Sequence, residues 1–387
     1  MKYLVVGDAA SMHIYNFVKT VLLPRGYEVH LLTLSTERIK EKYREFYLEK
    51  GVFLHSLAEK NYKNLGKKDK LHRALNLLRK FLLWSELPKV DICHIHSVYK
   101  TSVVMALCNR HKYKNIILSY WGGDIEDRSE NLVRIREKCF KKAKVITVTV
   151  KQTFEDFKEI YGSAYDEKLM VSRFATDGIN CINEISKTIT RDECRESYGI
   201  PSDKICITAG YSAYREQHQD RIIKELGKLP SELRKKLFVI VPMQYGRMSD
   251  TEYLNAVEKA KNEADFDCVI LKEFVPFEMS ARLAVATDIY LHLRDTDAFS
   301  NALKEQVYAG SLVIKGDWLK YIELEEMKAP IISIPDFDSL EKTVETCLKN
   351  LTLSKKIQLF EPIYELYSAD SVVSQWGAVI DRALKEN

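Results

Sequence analysis

No apolar run in this sequence approaches the roughly 18 to 20 residues that a membrane-spanning helix requires, which excludes a bilayer-crossing helix. The segment Met1-Lys2-Tyr3-Leu4-Val5-Val6-Gly7 lacks a basic n-region, an apolar h-region and a small-residue cleavage site, and it runs directly into what reads as a buried strand. A protein that is not exported and works in the cytoplasm is therefore expected. Eight cysteines are scattered without a Cys-x-x-Cys pair or metal-ligand spacing, as expected of buried thiols in a reducing compartment. A large excess of one charge is missing too. The net charge is +4, and the one basic stretch has no interleaved aromatics, which argues against a nucleic-acid-binding protein. With 46% hydrophobic and 29% charged residues, the composition gives no case for disorder.

What is present is length and a regular alternation. A chain of 387 residues is too long for one core of typical size, so two domains are expected. Short aliphatic or β-branched runs alternate with helical patterns, the signature of parallel strands joined by crossover helices. In the first half they are Leu4–Val6, Val29–Thr33, Ile92–Ile95, Ile116–Leu118 and Val145–Val148. In the second half they are Ile205–Thr208, Phe238–Val241, Cys268–Leu271, Ile289–His292 and Leu312–Ile314. Between the two sets, Ile182 through Thr190 is polar and reads as a linker. The expected division is a first domain over 1–185, a second over 186–365, and a terminal helical segment over 366–387 that packs back on the first. The expected fold class is α/β, two doubly wound parallel sheets with a cleft between them as the natural binding site.

Positive charge is concentrated before the apolar run Phe81-Leu82-Leu83-Trp84: Lys63, Lys67, Lys68, Lys70, Arg73 and Arg79 are opposed by Asp69 alone. Two readings of residues 60–84 are open. The segment adsorbs to an anionic membrane surface, at the inner face of the cell membrane, or it is a solvated helix whose Leu71, Leu75, Leu78 and Leu82 pack on the body of the domain.

The most informative stretch runs from Asp297 to Val313. An acidic residue, then seven others, then Glu305 on a helix that ends in Gly310 before a strand, resembles the donor-binding signature of family-4 glycosyltransferases, Glu-x7-Glu-Ala-Met-Ala-x-Gly-x-Pro-Val. Glu305, Gly310 and Val313 match it; Asp297 stands for the first Glu, Gln306 for Ala and Leu312 for Pro. The resemblance implies the GT-B fold, two Rossmann-like domains, and transfer of a sugar from a nucleotide diphosphate donor. A helix starting near Ser300 would aim its free N–H groups and positive dipole end at the diphosphate. By resemblance Glu305 holds the ribose and Asp297 the transferred sugar, with Phe299, Ser300 and Asn301 beside the donor. A solvated acidic pair flanking an ordinary helix is the plainer account of the same letters. The segment Glu273-Phe274-Val275-Pro276 is similar to the part of the family that contacts the nucleobase, so Phe274 and Val275 are base-contact candidates, with plain packing at a strand end as the other reading.

Elsewhere the sequence departs from that family. Where it has Gly-Arg-x4-Lys-Gly to clamp the diphosphate, this chain has Tyr211 for the Arg and Glu216 for the Lys, leaving Arg215 or Arg294 to supply the cation. Gly210-Tyr211-Ser212 and Pro242-Met243-Gln244-Tyr245-Gly246 are similar to motifs of the inverting bacterial N-acetylfucosamine transferases, in which case Ser212 and Tyr245 would bind phosphate oxygens. In the first domain Gly7 lies in the turn after the first strand and is a candidate donor contact, and His13 is a candidate base or sugar ligand. Ser119-Tyr120-Trp121-Gly122-Gly123-Asp124 resembles the Trp-Gly-Ser-Asp turn of family 4. Asp124 would then face the acceptor or the charge developing on the sugar, or else cap the following helix. Of His94 and His96, one is expected in the core and one facing the cleft. Asp295-Thr296-Asp297 has the letters of a metal motif but lies in the donor loop, so transfer without a metal or other cofactor is expected.

The leading expectation is a retaining hexosyltransferase acting on a glycan or lipid-linked acceptor in cell-surface polysaccharide or glycoconjugate synthesis. An inverting transferase with His13 or Asp124 as base, and a non-catalytic sugar-nucleotide-binding protein, remain open beside it.

Overall fold

Strands with aliphatic side chains on both faces are stable only where helices cover both sides of a sheet, and both halves of the chain take that solution. The structure is a computed structural model that describes residues 1–35, 38–59, 70–125, 127–351 and 357–385. It comprises two units, one formed by Met1–Ala175 together with Ala369–Asn387, the other by Thr176–Ser368.

The first unit holds seven parallel strands: β1 (Lys2–Val6), β2 (Glu28–Thr33), β3 (Phe53–Ser56), β4 (Val90–His96), β5 (Tyr113–Ser119), β6 (Val145–Val148) and β7 (Leu169–Val171). Their order is β3-β2-β1-β4-β5-β6-β7. The chain therefore winds outward from β1 to β3, then returns to lay β4 on the other side of β1, with Val5 opposite Leu31 on one flank and His94 on the other. One face is covered by a core that includes Leu4, Cys93, Leu118 and Phe140, the other by one that includes Val5, Val18, Tyr47 and Ile117.

The terminal helix Ala369–Leu384 belongs to this second core. Trp376, 1% exposed, packs on Phe17, His94 and Phe174 and donates its Nε1–H to the carbonyl of Arg173 at 2.9 Å.

The second unit holds β8 (Ile205–Ala209), β9 (Leu237–Pro242), β10 (Asp267–Leu271), β11 (Ile289–His292), β12 (Leu312–Gly316) and β13 (Ile331–Ile334), in the order β10-β9-β8-β11-β12-β13, all parallel. It repeats the winding of the first, with the reversal between β8 and β11. The segment read as a linker, from Ile182 to Thr190, is mostly helix, because Ile179, Ile182 and Ile185 recur on one buried face of Asp177–Thr188. The units divide at Ala175 and Thr176 rather than at 185 and 186.

After Thr190 a capping box with Glu193 starts the helix Arg191–Glu196. Its two arginines reach the buried carboxylate of Asp288 at the foot of β11, Arg191 at 2.7 Å and Arg195 at 3.0 Å, and that carboxylate also accepts from the Cys206 N–H.

Candidate active site

Ligands of doubly wound sheets collect beyond the carboxyl ends of the strands, where the winding reverses. In the second unit a pocket of about 280 Å³ opens there. Thr208 near the end of β8 and Gly210 just beyond it, Pro242 closing β9 and Gln244 beyond it, Tyr290 on β11, and Asn301, Ala302 and Glu305 on the helix Asn301–Tyr308 form much of its wall. Gly210 has φ 66°, and a Cβ there would lie 2.7 Å from Oε1 of Gln217, so the turn requires glycine.

The wall brings together several of the residues expected from the sequence. Glu305, Asn301, Phe274, Val275 and Tyr245 all line it. Phe274 is 77% exposed, a large ring held at the rim. Burial pushes the Glu305 carboxyl up to about 7; Lys304 opposes the shift and Asp177 adds to it. Lys304 itself lies under the rings of Phe299 and Tyr367, 4.9 and 4.7 Å from their centres.

Asp297 has a different neighbourhood from the one expected. It is not on the pocket wall. Its side chain is 3% exposed and accepts hydrogen bonds from the Ser300 N–H at 2.8 Å and from the hydroxyls of Tyr321 at 2.9 Å and Tyr211 at 3.2 Å, with His292 at 3.4 Å. Burial alone would raise its carboxyl, but His292, the Ser300 amide and Tyr321 hold it far below the usual carboxylate range. Asp297 thus fastens the loop that launches the helix. In the same loop Phe299 takes a left-handed backbone, φ 63°, and is buried against Tyr321 and Tyr367 rather than facing the pocket. Ser300 stands just before the first helical residue and outside the wall.

The candidate cations and the serine are also corrected. Arg215 is drawn away by Asp250 and Glu252, each at 2.9 Å. Arg294 hydrogen-bonds the Tyr211 hydroxyl and lies behind that ring, itself a wall residue. Ser212 is fully buried, its hydroxyl accepting from Gln217 at 3.1 Å. None of the lining residues is Lys or Arg, so the helix N-terminus is the positive element that the wall itself presents.

In the first unit a cavity of about 200 Å³ occupies the equivalent position, lined among others by Gly7, Asp8, Ser35, His96, Ser97 and Tyr99. Gly7 is there, not in the second unit. His94 and His96 project to the same side of β4 with ring centres 3.9 Å apart, and both are buried. His94 is bound by Tyr3 and Ser119. His96 reaches the cavity, and neither of its ring nitrogens has a hydrogen-bond partner among the described residues. Burial, and then the neighbouring His13, lower it to about 3. His13 packs on Phe174 and Trp121.

Asp124 does not cap the next helix. It is 1% exposed and accepts from the N–H groups of Val98, Trp121 and Gly122, tying two loops together. The next helix, Glu130–Phe140, has Ser129 at its cap position instead.

The sequence did not single out Thr208, Tyr290, Gln306 or Gly178 as site residues. The first three line the pocket. Gly178, in the helix Asp177–Thr188, lies against the Glu305 carboxylate; a Cβ there would be 2.1 Å from its Oε1. The Asp177-Gly178 pair at a helix start was the available signal.

Residues 2–150 match the family described as Glycosyl transferase 4-like. Among proteins of curated function, none is significantly similar in sequence. Solved structures are similar over nearly the whole chain. A glycosyltransferase from Rickettsia africae has a TM-score of 0.71 at 13% identity, covering 100% of this chain and 99% of that one. Sucrose-phosphate synthase from Thermosynechococcus elongatus scores 0.69 at 11% identity, covering 99% and 98%. Anabaena HepE, solved in complex with UDP-glucose, scores 0.63 at 12% identity, covering 98% and 99%. Over residues 2–150 the chain is thus similar to the glycosyl transferase 4-like family, and its two parallel sheets of seven and six strands make up the GT-B glycosyltransferase fold.

Proposed function

We propose that this protein is a retaining glycosyltransferase whose second unit binds a nucleotide diphosphate sugar in the pocket between Phe274 and Glu305. The observation that carries this is the placement of Glu305 on the wall of that pocket, on the same helix whose first residues, Asn301 and Ala302, also line it. A nucleobase would lie against Phe274 and Val275, the ribose hydroxyls would donate to Glu305, and the diphosphate would meet the amide groups at the helix start. Those amides stabilise the charge that grows on the leaving diphosphate, the largest contribution open to such a site. Asp297 acts here as a positioning residue, and Arg294 is a cation that reaches the wall through Tyr211.

The acceptor, a glycan or a lipid-linked sugar, is assigned to the cavity of the first unit, where His96 offers a neutral ring to a hydroxyl. No metal or other cofactor is proposed, and the protein is read as cytoplasmic. The resemblance to the glycosyl transferase 4-like family supports retention. The inverting reading needs a general base in the first unit, and the three backbone hydrogen bonds on Asp124 leave His13 as its remaining candidate.

Calorimetric titration with a panel of nucleotide diphosphate sugars tests the proposal. One or more should bind the native protein, and Glu305→Ala should lose that binding while melting normally. Equal binding by the variant would remove the site assignment. The anomeric configuration of the product separates retention from inversion.

A further inference from the structure

An amphipathic helix normally turns its apolar stripe to the core. The helix Lys70–Ser85 does the opposite. Leu71, Leu75, Leu78 and Leu82 fall on one face at the required spacing, joined at its edge by Leu77 and Phe81, and all six are exposed, from 38% at Leu75 to 67% at Leu71. Its opposite face, with His72, Asn76, Arg79 and Lys80, is the more covered one. The last turn is anchored in the core: Leu83 and Trp84 are buried there, and the indole of Trp84 donates to the Tyr113 hydroxyl. The expectation that these leucines pack on the body of the domain is therefore overturned.

A contiguous exposed apolar face is rare on a monomer in water and marks an interaction surface. The charge of the helix selects the partner. Its sixteen residues include Lys70, Arg73, Arg79 and Lys80 and no acidic residue. Two copies meeting through this face would bring like charges together, whereas an anionic lipid surface offers both an apolar interior for the leucines and a negative field that attracts a helix of net positive charge.

We propose that the Lys70–Ser85 helix docks this protein on an anionic phospholipid bilayer, lying in the plane of the interface with Leu71, Leu75, Leu78, Phe81 and Leu82 inserted. The inference rests on the first unit alone and stands whether or not the donor pocket is assigned correctly.

Sedimentation of the full chain with phosphatidylcholine vesicles, plain or containing about a third phosphatidylglycerol, tests it. The anionic vesicles should bind at least roughly tenfold more tightly, and the difference should shrink in about 0.5 M salt. The variant carrying both Leu75→Asp and Leu78→Asp should lose roughly tenfold or more of that binding, with its melting temperature unchanged because both side chains are exposed. The pair Leu71→Asp and Leu82→Asp should behave alike, which guards against a local folding defect.

No binding to either vesicle, or equal binding to both, overturns the proposal, as does undiminished binding by both variants. Concentration-dependent self-association that the same substitutions abolish, without lipid binding, would assign the face to a second copy instead.

Discussion

The carboxylate of Glu305 rests against the α-carbon of Gly178, so closely that a methyl group added at Gly178 would sit 2.1 Å from Oε1 and 2.3 Å from Cδ. Alanine normally stabilises a helix by about 0.5–1 kcal/mol over glycine. Gly178→Ala is expected to forfeit that gain by displacing Glu305, and to weaken binding of the nucleotide sugar by roughly tenfold or more. In a Glu305→Ala background the same substitution should no longer weaken binding, so a double-mutant cycle by titration calorimetry and melting checks the coupling.

The raised carboxyl of Glu305 gives two pH dependences of known sign. Between its ordinary value of 4.5 and its folded value of about 7, the unfolded chain gives up this proton while the folded chain keeps it. This group's contribution to stability is therefore full below 4.5 and declines as pH rises to about 7. If Glu305 holds the ribose as proposed, donor binding runs the other way, since the ionised form is the better acceptor for the ribose hydroxyls, and affinity should rise between about pH 6 and about pH 8. Glu305→Gln should flatten both curves, measured by denaturant melts and by titration across that range.

Phe274 is exposed and touches the pocket, so its removal separates binding from folding. Phe274→Ala should leave the melting temperature unchanged and reduce donor affinity roughly three- to tenfold through loss of ring stacking. A matching loss for the free nucleoside diphosphate would place the effect on the base rather than the sugar.

Asp288 is bound to both Arg191 and Arg195, all three with side chains no more than 9% exposed. Asp288→Ala strands two guanidinium groups away from water and is expected to cost about 3–5 kcal/mol. Urea unfolding measures it. Asp288→Asn, which keeps a hydrogen-bond acceptor but not the charge, should fall between.

Much of this architecture could be read from residue pattern. The ten runs read as strands all fall within observed strands, because buried parallel strands require unbroken aliphatic stretches. Three strands were not legible: β3, β7 and β13, all at or beside sheet edges. Phe53-Leu54-His55-Ser56 and Leu169-Met170-Val171 are too short and too partly exposed to stand out. For the site, Glu305, Asn301 and Phe274 were legible because a helix start and a strand end fix where those residues point. Asp297, Phe299, Ser212 and Arg215 were not. Whether a polar group in a loop faces a pocket or a neighbour depends on tertiary partners such as Tyr321, Gln217 and Asp250, which lie far away in sequence or give no periodic signal.

Trp376→Ala probes the terminal helix. Removing a ring that is 1% exposed and wedged among Phe17, His94 and Phe174 should cost about 3–5 kcal/mol. Binding of nucleotide sugar by the second unit should survive it at temperatures where the variant is still folded.

That helix also dictates an order of events on the ribosome. Residues Thr176–Ser368 form one uninterrupted unit and have all their parts as soon as they emerge, whereas the unit begun earlier waits for Val379, Ile380 and Ala383 before one flank of its sheet is sealed. The half that starts first is completed last. A nascent chain halted near Ser368 would carry Phe17 and its neighbours uncovered, making it a natural client for chaperones.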